Sequence, residues 1–360
     1  MAPPRFPRPF GAALALVALG LLVGAVAFGS AARAAAPARA FALPAIDEPV
    51  GTELRRTTLA DTAGSWHGGQ LTTSTGDTVT VYVSDTYTDA DTTPQYWAEF
   101  LAHLTHGPEL ASVTLYIAPF DEVTNLCGPQ ALGCYGDDQI VSIGTPYVDG
   151  TAPEEIVRHE YGHHVAANRS NPPWQAVDWG PKLWASAENV CSKVKQKLAY
   201  PGDESDHYQL NPGEAWAETY RLMDEQRAGI TTGTWQIVAP LYYPDAAELQ
   251  AAENDVLSPW TAPQTQSFRK VFGKRTAKVW TIPVSTPLDG SMTVAAVLPR
   301  NSTSQVVLTA SNGSTVLARA VRSGTRSRRI STTICGQRTV DVRVTQKGAL
   351  GAVSVVTSTP

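Results

Sequence analysis

Two histidines four residues apart with a glutamate beside the first, His159-Glu160-x-x-His163, are the residues of this chain best suited to do chemistry. On a helix that spacing puts both imidazoles on one side, one turn apart, where they can grip a single metal ion. Glu160 is rotated off the pair, too far round to be a third ligand from the same turn, and is placed to accept a proton from a metal-bound water. Zinc held by three protein ligands keeps a fourth position for water and lowers its pKa from about 15.7 to about 7. With Glu160 as general base, hydroxide is delivered to a carbonyl and the proton passes on to the leaving amine. The chemistry implied is zinc-dependent hydrolysis of peptide bonds. The competing reading is a pair of ordinary core or surface histidines on an unremarkable helix.

The third ligand decides the class. An extended motif would need Gly at 166 and His at 169, where this chain has Ala166 and Arg169, so the metzincin pattern is excluded. A second segment, Asn211-Pro-Gly-Glu-Ala-Trp-Ala-Glu-Thr-Tyr-Arg, opens with a good helix cap and carries Glu214 and Glu218 four apart on one face. Glu214 could instead close a capping box on Asn211, with its carboxylate turned back on the backbone. Asp203 and Asp206 in the intervening loop are the alternative acids.

His159-Glu160-x-x-His163 followed by Glu214-x-x-x-Glu218 resembles the gluzincin metallopeptidases, the thermolysin and anthrax lethal factor type. The text Asn-Pro-Gly-Glu-Ala-Trp-Ala-Glu is similar to the lethal-factor-like branch. The resemblance spans roughly residues 110–225. It implies that Glu214 is the third zinc ligand and that Glu218 supports a ligating imidazole from behind. It also implies a tyrosine shortly before the glutamate helix to stabilise the oxyanion, and Tyr208 stands there, with His207 as the alternative donor. A strand ahead of the metal helix should line the cleft. Gln139–Ile143 fills that place, with an exposed edge for an extended substrate.

These side chains need two helices and a sheet to hold them. Thr151 and Glu154 read as a capping box for a helix over 152–168, and further helices are expected over about 182–199, 212–228 and about 244–254. Strands are expected at Thr78–Val83, Val113–Ala118 and Gln139–Ile143, and a helix at Pro94–Leu104. Downstream, alternating runs at 305–310, 315–321, 339–345 and 352–358 read as a small all-β sandwich. The expected fold is α+β: a zincin-like catalytic domain over 41–280 followed by a β-sandwich over 281–360, like the appendages of secreted bacterial peptidases. Charge divides similarly. Residues 281–360 carry nine Lys or Arg against two acids, while 41–280 carry fifteen bases against thirty-one acids.

Arg5 and Arg8 precede an uncharged run over 9–32 and the small-residue sites Ala34-Ala35-Ala36 and Ala38-Arg39-Ala40. That is the form of a signal peptide over 1–40 and of a secreted protein, the alternative being an uncleaved membrane anchor. The even cysteine count suits an oxidising compartment. Four cysteines allow three pairings, of which a local Cys127–Cys134 bridge, leaving Cys191 with Cys335, is favoured. Residues 41–77 contain no cysteine, which excludes a thiolate switch on the zinc.

Other candidates have bland readings. Tyr220 and His164 are expected to be structural, and His67, His103 and His106 lie on no ligand spacing. Trp174, Trp179 and Trp184 wall a pocket or belong to the core. Arg322, Arg326, Arg328 and Arg329 cluster in what reads as a loop and could hold an anionic cell envelope or polysaccharide, the bland reading being that they face the acidic catalytic domain or water. No nucleic-acid motif is present. Besides a zinc endopeptidase acting on proteins or peptides, the chain fits a zinc amidohydrolase of cell-wall peptides or a non-catalytic binding protein on a zincin scaffold.

Overall fold

The computed structural model describes residues 66–360 apart from 89–91, 231–234, 236, 277, 301, 311–312 and 324–326. The expected signal peptide, any membrane anchor in it, and Arg326 lie outside the described residues. Among those described, no helix is long and apolar enough to cross a membrane.

Alternation in Thr78–Ser84 buries Val79, Val81 and Val83 and leaves the intervening residues more open, as expected of a strand with one packed face. It is β2 of a five-stranded sheet built from β1 (Trp66–Thr72), β2 (Thr78–Ser84), β3 (Thr114–Ala118), β4 (Gly133–Gly136) and β5 (Gln139–Ile143), in the order β1-β2-β3-β5-β4. The inner strands β2, β3 and β5 run parallel, and β1 and β4 close the two sides antiparallel. This corrects one expectation. β5 is not an edge, because β3 and β4 pair with its two sides; the outermost strand on that side is β4, largely buried, which Cys134 ties to Cys127. Because β1 pairs with β2, the chain joins this sheet at Trp66.

The helices of this part are α1 (Pro94–His103), α2 (Phe120–Cys127), α3 (Pro153–Ala167), α4 (Ala176–Trp179), α5 (Lys182–Ala187), α6 (Val190–Lys195), α7 (Pro212–Arg227) and α8 (Ala246–Leu257). The single helix expected over 182–199 is two, because Asn189 adopts a left-handed conformation between α5 and α6. The capping box at Thr151 does not form either. Asp149 takes both the N–H and the hydroxyl of Thr151, Ala152 stands at the cap, and Glu154 accepts the Tyr96 hydroxyl. Pro153 in the first turn still sets the helix start. α3 and α7 are buried almost all round, which is why their sequences lack a clean polar stripe.

Beyond α8 the chain forms only strands: β6 (Gln264–Phe272), β7 (Val279–Ser285), β8 (Gly290–Val297), β9 (Ser302–Ala310), β10 (Val316–Ser323), β11 (Ser327–Ile334), β12 (Thr339–Gly348) and β13 (Gly351–Thr359). They make two four-stranded sheets, β10-β9-β12-β7 and β11-β8-β13-β6, around a core that includes Phe272, Met292, Leu308, Val342 and Val355. The sandwich therefore begins at Gln264. The boundary expected at 281 falls inside β7, because β6 pairs with the last strand and completes its sheet. Arg328 and Arg329 sit in β11 and not in a loop, and alternation turns Arg328 inward and Arg329 outward.

The two parts are joined by a polar seam. The ammonium of Lys182 donates to the carbonyls of Pro172 (2.7 Å) and Asp289 (3.0 Å), and Arg338 donates to the Ser186 carbonyl at 2.7 Å. Cys191–Cys335 crosses the same seam, so both favoured disulfides are present.

Candidate metal centre

α3 and α7 lie side by side, and their facing surfaces carry His159, Glu160 and His163 on one helix and Glu214 and Glu218 on the other. Both helices approach closely at Gly162, where a Cβ would come within 2.8 Å of the Ala217 Cα. A proline at the first turn of each helix and the Asn211 side chain, which accepts the Gly213 N–H at 3.0 Å, fix where α3 and α7 begin.

Within this contact one ligand atom each from His159, His163 and Glu214 lie within 4.8 Å of one another, all three residues being buried. Glu214 Oε2 is 3.3 Å from His159 Nε2 and 3.5 Å from His163 Nε2. Its carboxylate is therefore turned toward the imidazoles and not back onto the Asn211 backbone, which disposes of the capping-box alternative. Burial pushes this carboxyl up, but His163 and His159 outweigh it and hold it well below the usual carboxylate range. Its second oxygen, Oε1, is buried and accepts no hydrogen bond among the described residues. Two imidazoles and a carboxylate with a spare buried oxygen, arranged to converge, are a donor set that fits zinc.

Glu218 stands behind the site, with Oε2 3.4 Å from His159 Nδ1. Arg221 donates to both its oxygens, at 3.0 and 2.7 Å, and also to Glu225 at 2.7 Å. Burial would raise the Glu218 carboxyl, but Arg221 first and His159 next bring it down to about 2. The ring nitrogen of His159 that faces Glu218 is thereby held beside a permanent anion, and Nε2 is left for the centre. Arg221 is a residue that the motif reading passed over. Its signal was available as the i,i+3 and i,i+4 spacing from Glu218 and to Glu225 on one helix.

Glu160 is fully buried on the other side of the histidine pair. Gly133 of β4 makes room for it: a Cβ there would lie 3.0 Å from Glu160 Oε1 and 2.6 Å from Ile156 Cγ2. Nothing in the local pattern around Gly133 announced this role, because it depends on β4 crossing α3. Tyr208 reaches the centre and donates its hydroxyl to Glu214 Oε2 at 2.9 Å. His207 does not, being held by Asp203 at 2.7 Å and stacked on Tyr200. Asp203 and Asp206 take no part in the His159–His163–Glu214 group. A cavity of about 10 Å³ beside His159, lined by Glu155, Ile156, Arg221 and Ile237, has room for one water.

The remaining candidates are structural. Tyr220 donates to the Thr105 carbonyl at 2.7 Å, and His164 pairs with the Glu109 carbonyl at 2.9 Å. Trp184 is core, edge-on to Trp216, while Trp174 and Trp179 stack on each other with centroids 4.6 Å apart. His67 pairs with Asp85, His103 bonds the Glu99 carbonyl, and His106 bonds the carbonyl of Gly107.

No protein-family model matches the chain, and no curated protein matches it. Among solved structures, a carbohydrate binding module (CBM6cm-2) from Cellvibrio mixtus lichenase 5A in complex with cellotriose is similar at a TM-score of 0.20 and 10% identity, covering 29% of this chain and 90% of that one.

Proposed function

We propose that the chain is a zinc-dependent metalloendopeptidase with a gluzincin-like site, secreted by way of its N-terminal segment. The observation that carries this reading is the convergence of His159, His163 and Glu214 with a fourth, non-ligating carboxylate, Glu160, on the same helix. A structural ion alone would have no use for that carboxylate. Zinc at this centre would supply a Lewis acid that polarises the scissile carbonyl and makes water acidic enough to attack near neutral pH. Glu160 takes the proton of the attacking water and returns it to the leaving amine. Glu218 and Arg221 keep His159 oriented, and the Tyr208 hydroxyl, already directed at Glu214, is within reach of charge developing on the carbonyl oxygen. β4 is the outermost strand of the sheet on the side beside Glu160, and an extended peptide would bind next to it.

The test is cleavage of a mixed peptide library by protein spanning 41–360, alongside Glu160→Ala. Wild type should cut, and the variant should keep its zinc while losing activity by at least about a hundredfold, as for a lost general base. Equal cleavage by both proteins would remove Glu160 from the mechanism. No cleavage by either would remove the peptidase reading.

A further inference from the structure

Moving the start of the sandwich from 281 to Gln264 changes its electrostatics. Residues 264–360 carry fourteen Lys or Arg against two acids, a net of +12, whereas residues 66–263 carry eight against twenty-seven, a net of −19. The added strand and turn contribute five of those cations, Arg269, Lys270, Lys274, Arg275 and Lys278, and no acid. None of the five forms an ion pair among the described residues, although the first domain is rich in carboxylates. Neighbouring like charges repel even in water, so the repulsion within this cluster works against folding.

The turn between β6 and β7, which belong to different sheets, displays Lys274, Arg275 and Lys278 outward. The Thr276 hydroxyl bonds both the N–H (2.6 Å) and the carbonyl (2.9 Å) of Gly273, closing a tight turn with Lys274 and Arg275 exposed at its tip. Lys270 lies over the rings of Phe272 and Trp280, which hold its ammonium in place. β6 is an edge strand, and its first residues, Gln264, Thr265, Gln266 and Ser267, are all exposed. A line of free amides and hydroxyls thus leads into a cationic tip.

We infer that the β6–β7 turn, together with the exposed edge of β6, is a docking surface for an anionic polysaccharide. Sugar hydroxyls suit the amide and hydroxyl strip, and carboxylate, sulfate or phosphate groups along the polymer suit the five cations. A lipid surface fits less well, because the tip Gly273-Lys274-Arg275-Thr276 has no apolar side chain to insert. The opposite charge of the first domain would turn the bound molecule so that the sandwich faces the polymer. The inference is independent of the metal chemistry.

The experiment is retention and equilibrium binding of the full chain on heparin, with vesicles containing phosphatidylglycerol as a second arm. Wild type should bind heparin, and the logarithm of its affinity should fall linearly with the logarithm of salt. Lys274→Glu/Arg275→Glu/Lys278→Glu should lose at least about tenfold in affinity, with a salt dependence shallower by about two units. The milder pair Lys274→Gln/Arg275→Gln should bind between the two, which guards against misfolding of the triple variant. Arg319→Glu/Arg343→Glu, on the other sheet, should fall well short of the triple variant's loss. Failure of wild type to bind heparin, or equal binding by the turn variants, would overturn the proposal. Binding to vesicles but not to heparin would overturn the choice of polymer.

Discussion

The indole N–H of Trp216 on α7 donates to the carbonyl of Gly162 on α3 at 2.7 Å, one residue before His163. The two helices that carry the centre are thus pinned to each other at the level of the histidines, and the absence of a side chain at Gly162 lets them meet. Gly162→Ala would drive a methyl to 2.8 Å from the backbone of Ala217, which cannot yield as a side chain would. The expected cost is about 1–3 kcal/mol of stability, together with a loss of zinc affinity of about tenfold or more as Glu214 is pushed from the histidines. Trp216→Phe, which keeps the ring and loses the donor, should cost about 1 kcal/mol. Denaturant midpoints and zinc titration against a competing chelator measure both effects. A Gly162→Ala protein that matches wild type in both would show that helix contact does not set the centre.

Arg221 neutralises Glu218 and Glu225 together, and Glu218 in turn faces His159. Glu218→Gln should weaken zinc binding by about 10–100-fold, the usual effect of removing a carboxylate behind a ligating histidine. Arg221→Met leaves the buried carboxylates of Glu218 and Glu225 without the cation between them and should destabilise the protein by about 3–5 kcal/mol. Chelator competition reads the first and urea unfolding the second. Wild-type stability in the methionine variant would mean that the cluster is already neutral.

The centre was legible because its geometry is local. His159, Glu160 and His163 share one helix, Glu214 and Glu218 another, and helical spacing alone puts the histidine pair and the downstream glutamate pair each on one face. The partners that cross between elements were not legible. Gly133 matters only because β4 passes over α3, and the pairing of β4 with β5 hid the true sheet edge. Helix breaks were misjudged where a single residue, Asn189, adopts a conformation that composition does not reveal. The sandwich was recognised from four alternating runs, but β6 was missed. It is an edge strand with nearly all of its residues exposed, so its hydrophobic alternation is faint.

Asp255 gives the stability a pH signature. It accepts the N–H groups of Leu183 and Trp184 at 3.1 and 2.7 Å, yet burial pushes its carboxyl from 3.8 up to about 7, against the pull of those bonds and of Arg169 and Lys182. A folded-state pKa above the unfolded one means that the folded protein holds the proton more tightly. The stabilisation is complete below pH 3.8 and is lost as pH rises through about 7. The span corresponds to a change on the order of 4 kcal/mol, most of it between pH 4 and 7. Urea midpoints should therefore fall across that window by more in wild type than in Asp255→Asn, which carries no proton to lose. Parallel curves for the two proteins would assign the pH dependence elsewhere.

The two disulfides should have separable effects. Cys191–Cys335 closes a sequence separation of 144 residues and Cys127–Cys134 one of 7. On chain entropy alone, removing the long bridge should cost about 5 kcal/mol and the short one about 2 kcal/mol. Lys182 and Arg338 still hold the seam once Cys191 and Cys335 are serine, so the folded protein should keep its sandwich docked and resist limited proteolysis. Its loss should appear in the unfolding midpoint, with peptide cleavage by folded protein nearly unchanged. The short bridge anchors β4, the outermost strand on that side, which passes Glu160. Cys127→Ser/Cys134→Ser should therefore lose kcat/KM by more than its modest loss of stability explains. Parallel unfolding and peptide-cleavage measurements on the two double variants decide this. If both lose activity only in proportion to unfolding, β4 does not need its tether to serve the site.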